Sequence, residues 1–110
     1  MAIDQHARAR RAWPILARRA LEHGQPFTYG ELCGQLGLHH RAAAWFLGVI
    51  QTHCDLAGLP ALQAFAVNKK TRVPGVGYVG SHRTHVEHAK ELHKVHAHKW
   101  SLVAPSKFRT

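Results

Sequence analysis

Apolar and polar positions alternate along the chain in a way that divides it into helical and extended stretches. From Met1 to His23, Ala12, Trp13, Ile15, Leu16, Ala20 and Leu21 recur at helical spacing among Arg8, Arg10, Arg11, Arg18 and Arg19. That pattern predicts a helix with one buried side. Pro14 either opens the main helix at its first turn or kinks a longer one, and Gly24 stops it. Thr28 and Glu31 have the spacing of a capping box, and Phe27 and Leu32 that of the matching hydrophobic staple. The second helix runs to Leu36 and ends at Gly37, where a left-handed residue is needed. Leu38 tucks under the turn, and a third helix begins near His39 or His40 and ends at Gly58 after Ala57. Its apolar positions Ala42, Trp45, Phe46, Val49, Ile50 and Cys54 predict a well-buried helix. On this spacing Trp45 belongs to the core rather than to a stacking platform.

Leu59-Pro60 breaks the helical pattern, and Leu62 to Asn68 (LQAFAVN) reads as a strand. A basic turn follows at Lys69, Lys70, Thr71 and Arg72. Val73 to Val79 reads as a returning strand, with Pro74-Gly75 forming a tight turn or bulge. From Ser81 the chain is rich in histidine. A short helix is expected from His82 to His93, then a last strand in VHAHKWSLV with Val95, Ala97 and Trp100 packing inward. The fold class expected is α+β: a small winged helix-turn-helix with three N-terminal helices, a β-hairpin wing and a short C-terminal helix and strand. Residues 1–104 would form the single domain and 105–110 a flexible basic tail.

Composition agrees with one domain. The chain has 110 residues, 45% of them hydrophobic, which suits a single folded core. Lys and Arg number 15 against 6 acidic residues, a net charge of +9. Such a surface attracts polyanions, so nucleic acid is the first partner to consider. No apolar run approaches the roughly 20 residues of a membrane span, and the basic N-terminus lacks an apolar segment after it, so no membrane association and a cytoplasmic location are expected.

The residue types that carry chemistry do not assemble. His85 and His88 stand one helical turn apart with Glu87 nearby, but a structural zinc site needs about four convergent ligands. No CxxC or HExxH spacing occurs, so neither a metal nor another cofactor is expected. The histidines from His82 to His98 read instead as a polar face that charges below neutral pH. His53 and Cys54 are adjacent, yet neighbours on a helix diverge by about 100° and cannot share a proton directly. Cys54 falls on the apolar stripe, and Cys33 also lies within a helix. The carboxylates Asp4, Glu22, Glu31, Asp55, Glu87 and Glu91 are scattered. No catalysis is expected.

The binding residues singled out lie around the turn and the hairpin tip. Cys33, Gly37, Leu38, Ala43 and Phe46 satisfy the helix-turn-helix template, and His39, His40 and Arg41 then open the recognition helix. Tyr29, at the first turn of the second helix, would contact a phosphate or pack under the turn. Lys69, Lys70 and Arg72 would lie where wings meet phosphates.

These residues also carry a resemblance. TYGEL at Thr28, a glycine turn, and RAAAWFLG at Arg41 are similar to the TYGELA…G…RAVGxALG run in the DNA-binding domain of alkylguanine alkyltransferases and alkyltransferase-like proteins. The similarity extends through Pro60 to VGYVG, covering Thr28 to Gly80. It implies a winged helix that enters the minor groove, with Tyr29 at the position that helps flip a nucleotide and Arg41, after a two-residue gap, at the one that fills the space left behind. The family's Pro-Cys-His-Arg or Pro-Trp-His-Arg motif would fall near Ala64 to Val67, where this chain reads AFAV. The alkyl-accepting cysteine is therefore missing, and alkyl transfer is not expected. The resulting expectation is a non-catalytic nucleic-acid-binding protein, with duplex DNA favoured. The alternative is a small phage- or plasmid-type inhibitor that uses the same scaffold to bind a host protein.

Overall fold

The arginine-rich N-terminal pattern folds as one helix, α1 (Gln5–Leu21), capped by the Asp4 carboxylate, which accepts the Ala7 N–H at 3.0 Å. Pro14 sits inside the helix. It removes one backbone donor, at a cost of about 3 kcal/mol in an unsupported helix. Burial of Ala9, Ala12, Trp13, Leu16, Ala17 and Ala20 on one stripe offsets that cost. The computed structural model describes residues 3–74 and 85–110. Within them α1 is followed by β1 (Phe27–Thr28), α2 (Tyr29–Leu36), a 3-10 turn (His40–Ala42) and α3 (Ala43–Ala57). A second 3-10 turn (Leu62–Phe65), β2 (Ala66–Val67) and α4 (His85–Ala97) complete the order. The described residues thus form a mostly helical α+β domain whose core lies between α1 and α3.

Both expected helix stops around the turn hold. Gly37 (φ 71°) and Gly58 (φ 69°) are left-handed, each followed by a residue whose N–H reaches back into the last helical turn. At the end of α1 the left-handed residue is His23 (φ 55°), not Gly24. Gly24 is needed for another reason, since a Cβ there would stand 2.7 Å from Arg19 Cγ. That keeps clear the stem of Arg19, whose guanidinium lies 3.7 Å from the Phe27 ring centroid.

Leu62 to Asn68, expected as the first strand of a hairpin wing, pairs differently among the described residues. Leu62–Phe65 is a 3-10 turn, and the two-residue β2 runs parallel to β1, with Phe27 opposite Ala66 and Thr28 opposite Val67. The reason is burial: every residue from Ala61 to Val67 is buried. A segment covered on all sides suits an interior parallel pair rather than a hairpin with one wet face. The returning strand from Gly75 to Val79, the VGYVG run and His82 lie outside the described residues.

The C-terminal part differs more. Where a last strand was expected, α4 continues to Ala97, with Val95 fully buried and Ala97 exposed. The Trp100 indole N–H then donates to Val95 O at 2.8 Å, closing the helix end. Residues 105–110, expected as a loose tail, are held by Phe108, which is 1% exposed, and by the Arg109 N–H, which donates to His53 Nδ1 at 3.0 Å. Phe108 contributes to an aromatic cluster with Trp13 and His53. Phe108→Ala is expected to lower the unfolding free energy by about 3 kcal/mol or more. Urea denaturation monitored by circular dichroism measures this, and an unchanged midpoint would show that the segment does not pack.

Candidate nucleic-acid interface

The site is built from the capped entry of α2 onward. Thr28 Oγ1 accepts the Glu31 N–H at 3.1 Å, and Glu31 Oε1 accepts the Thr28 N–H at 2.9 Å. The capping box read from the sequence is present. Hydrogen bonding to Thr28, through its backbone N–H first and then its side chain, holds the Glu31 carboxyl below its usual pKa. At the other end the Leu38 N–H donates to Cys33 O at 2.8 Å and the Gly37 N–H to Gly34 O at 3.3 Å, a Schellman turn. Arg11 Nη2 also donates to Leu36 O at 3.0 Å, putting a cation on the C-terminal carbonyls of α2.

The chain then enters His39 in an extended conformation, and His39 Nδ1 accepts the Arg41 N–H at 3.2 Å. The regular helix therefore begins at Ala43 rather than at His39 or His40, with a 3-10 turn between. His39, His40 and Arg41 are all exposed, and the two imidazole centroids are 4.2 Å apart. Tyr29, the first residue of α2, is half-buried and packs against the core.

The other expected contacts occupy a separate place. Asn68 shapes the loop: its Oδ1 accepts the Lys70 N–H at 2.8 Å and the Thr71 N–H at 3.3 Å. Its backbone bonds to Val73 and Arg72 close the loop. Lys69, Lys70 and Arg72 are exposed on it. Because Val67 pairs with Thr28, this loop lies beside the N-terminus of α2, whereas His39–Arg41 follows its C-terminus. The two cationic groups are separated by the eight residues of α2, about 12 Å. His39, His40 and Arg41 come together, and Lys69, Lys70 and Arg72 form a second group.

Trp45 reverses the expectation made for it. It is 69% exposed, while Ala43, Phe46, Leu47, Ile50, His53 and Cys54 form the buried stripe of α3. Apolar residues occupy too many positions of α3 for periodicity to choose between faces, so contacts with α1 decide the rotation. Trp45 lines a shallow groove of about 470 Å³ with Arg8, Arg41 and Ile3. Helical spacing alone puts Trp45 in the core and leaves Arg8, with the other arginines of α1, open between a solvated face and phosphate contact. The signal available was a tryptophan one helical turn beyond Arg41.

Three of the four histidines of α4, His85, His88 and His96, have intramolecular partners. Carbonyl oxygens can only accept, so the Nε2 of His85, His88 and His96 donates to Thr71 O (2.8 Å), Ala64 O (2.6 Å) and Gly24 O (3.4 Å). His88 is buried, which corrects the reading of these residues as one charged polar face. Glu91 is buried too and accepts the Ala61 N–H at 2.7 Å. Among the described residues no three His, Cys, Asp or Glu side chains converge as metal ligands.

His53 and Cys54 also serve the interior. Burial holds the His53 imidazole below its usual pKa, and Arg109 adds to the effect. Burial pushes the Cys54 thiol up to about 11 and raises Cys33 as well, and both cysteines are free. No helix among the described residues is long and apolar enough to cross a membrane. No protein-family model, no curated protein and no solved structure matches the chain.

Two expectations follow from these burials. Iodoacetamide should leave Cys33 and Cys54 unmodified in the native protein at neutral pH and label both in urea, since only an accessible thiolate reacts; rapid native labelling read by mass spectrometry would contradict it. For His53 the folded pKa lies below the unfolded value of about 6.5. Stability from this group is therefore full above that pH and drains as pH falls toward the folded pKa. The drop in urea midpoint between about pH 8 and pH 5.5 should be smaller in His53→Gln than in the parent. Equal drops would remove His53 as a cause.

Proposed function

We propose that this protein is a non-catalytic nucleic-acid-binding protein that meets duplex DNA through a helix-turn-helix of the winged kind, like the alkyltransferase DNA-binding domain its sequence resembles. One observation carries the reading. The Schellman turn at Gly37 presents His39, His40 and Arg41 together on the surface of a chain whose net charge is +9. Arg41 and Arg8 share one groove, so two guanidiniums lie near each other at the start of α3. Lys69, Lys70 and Arg72, at the far end of α2, supply a second group for phosphates. Tyr29, at the start of α2, lies at the same end of that helix as this second group.

Fluorescence anisotropy with a random-sequence duplex across a salt titration tests the proposal. Affinity should fall linearly in log–log form with salt, because each neutralised phosphate releases counterions. Arg41→Ala should weaken binding about 5- to 10-fold, the loss of roughly one charged contact. Replacing Lys69, Lys70 and Arg72 together should flatten the salt slope by about 2 to 3 units. Absence of binding at low salt would overturn the proposal and favour the alternative, an inhibitor that docks on a host protein.

A further inference from the structure

Trp45 is the exposed tryptophan of a chain whose other two, Trp13 and Trp100, are 4% and 5% exposed. Leaving a large aromatic surface in water forgoes its burial, and tryptophan, with an apolar body and a polar N–H, is enriched at interfaces. The surroundings of Trp45 specify what kind. One groove beside the indole is lined by Arg8 and Arg41. A second, which Trp45 also lines, is bounded by His6, Gly48 and Arg109. No acidic residue lines either groove.

The backbone elements that hold these groups are firm. Arg8 and His6 belong to the first turns of α1, and the Arg109 N–H is tied to His53 Nδ1 at 3.0 Å. Gly48, on the next turn of α3, contributes no side chain, and no atom lies within 4 Å of where its Cβ would be. The exposed indole thus borders both grooves, with Arg8 and Arg41 lining one and Arg109 the other.

We propose that Trp45 is a stacking platform for an unpaired base of single-stranded nucleic acid, whose flanking phosphates are held by Arg8, Arg41 and Arg109. This rests on the nucleic-acid reading above and narrows its ligand. An exposed aromatic plane with cations in the grooves it borders matches a polymer that alternates flat bases with anionic phosphates. Stacking requires a free base face, which the interior of an intact duplex does not offer and a single strand does. A protein partner fits less well, because Arg8, Arg41 and Arg109 with no acidic residue line the two grooves, a one-signed charge that suits a polyanion.

The test compares a labelled oligothymidine with a duplex of the same strand at low salt, using the full chain and Trp45→Ala, Trp45→Phe and Arg41→Ala. Trp45→Ala should weaken oligothymidine binding about 10-fold while changing duplex binding by less than about twofold. Trp45→Phe should keep most of the affinity. Tryptophan emission should be quenched by oligothymidine in the parent and not in Trp45→Phe, since Trp13 and Trp100 are shielded. Because the indole is exposed, circular dichroism should show both Trp45 variants folded. If Trp45→Ala binds oligothymidine like the parent, or loses affinity equally for both ligands, stacking is refuted. The duplex reading survives that result provided Arg41→Ala still weakens duplex binding. If neither ligand binds the parent, both proposals fail together. If oligothymidine binds and the duplex does not, stacking stands and the duplex preference is lost.

Discussion

Trp13 is the contact on which the remainder of the domain depends. It stands where α1, α3 and the C-terminal segment meet. Its indole is edge-on to His53 at 5.8 Å and to Trp100 at 5.7 Å, and tilted against Phe108 at 6.1 Å. Its N–H donates to Ser101 O at 3.0 Å, so the buried polar end is satisfied. Aromatic contacts of this kind add about 0.5–1.5 kcal/mol each beyond area burial. Their larger effect is geometric. By fixing His53 against α1 they fix the rotation of α3, and that rotation turns Trp45 and Arg41 outward.

A second set of bonds holds the other side of the molecule. His88 and Glu91 project from α4 onto the backbone of Ala64 and Ala61, anchoring the buried segment that leads into β2. β2 lies beside β1, and β1 ends at Thr28, which caps α2. The position of the turn at Gly37 is thus set partly by polar groups on a helix far along the chain. Each is a buried polar side chain with a backbone partner, the condition under which burial of such groups is tolerated.

The cationic residues divide by job. Arg11 serves the end of α2, and Arg19 lies over Phe27. Arg8 and Arg41 remain in the groove beside Trp45, and Lys69, Lys70 and Arg72 remain exposed on their loop. Net charge alone does not distinguish these uses, and the surface available to a polyanion is smaller than the count of arginines suggests.

What the sequence by itself determined were features settled within a few residues. The capping box of Thr28 and Glu31, the left-handed stops at Gly37 and Gly58, and the exposure of His39–Arg41 between two helices are of this kind, because caps and turns depend on local backbone geometry. Tertiary structure decided the remainder. Trp45 faces out because α3 is apolar on more than one side and its packing against α1 chose the stripe. β2 pairs in parallel with β1, and α4 persists to Ala97, because both are buried by distant partners. Phe108 is buried because a cluster formed by Trp13 and His53 receives it. Contacts between residues remote in sequence leave no periodic trace, so the capped turn was legible from the start and the tryptophan beside it was not.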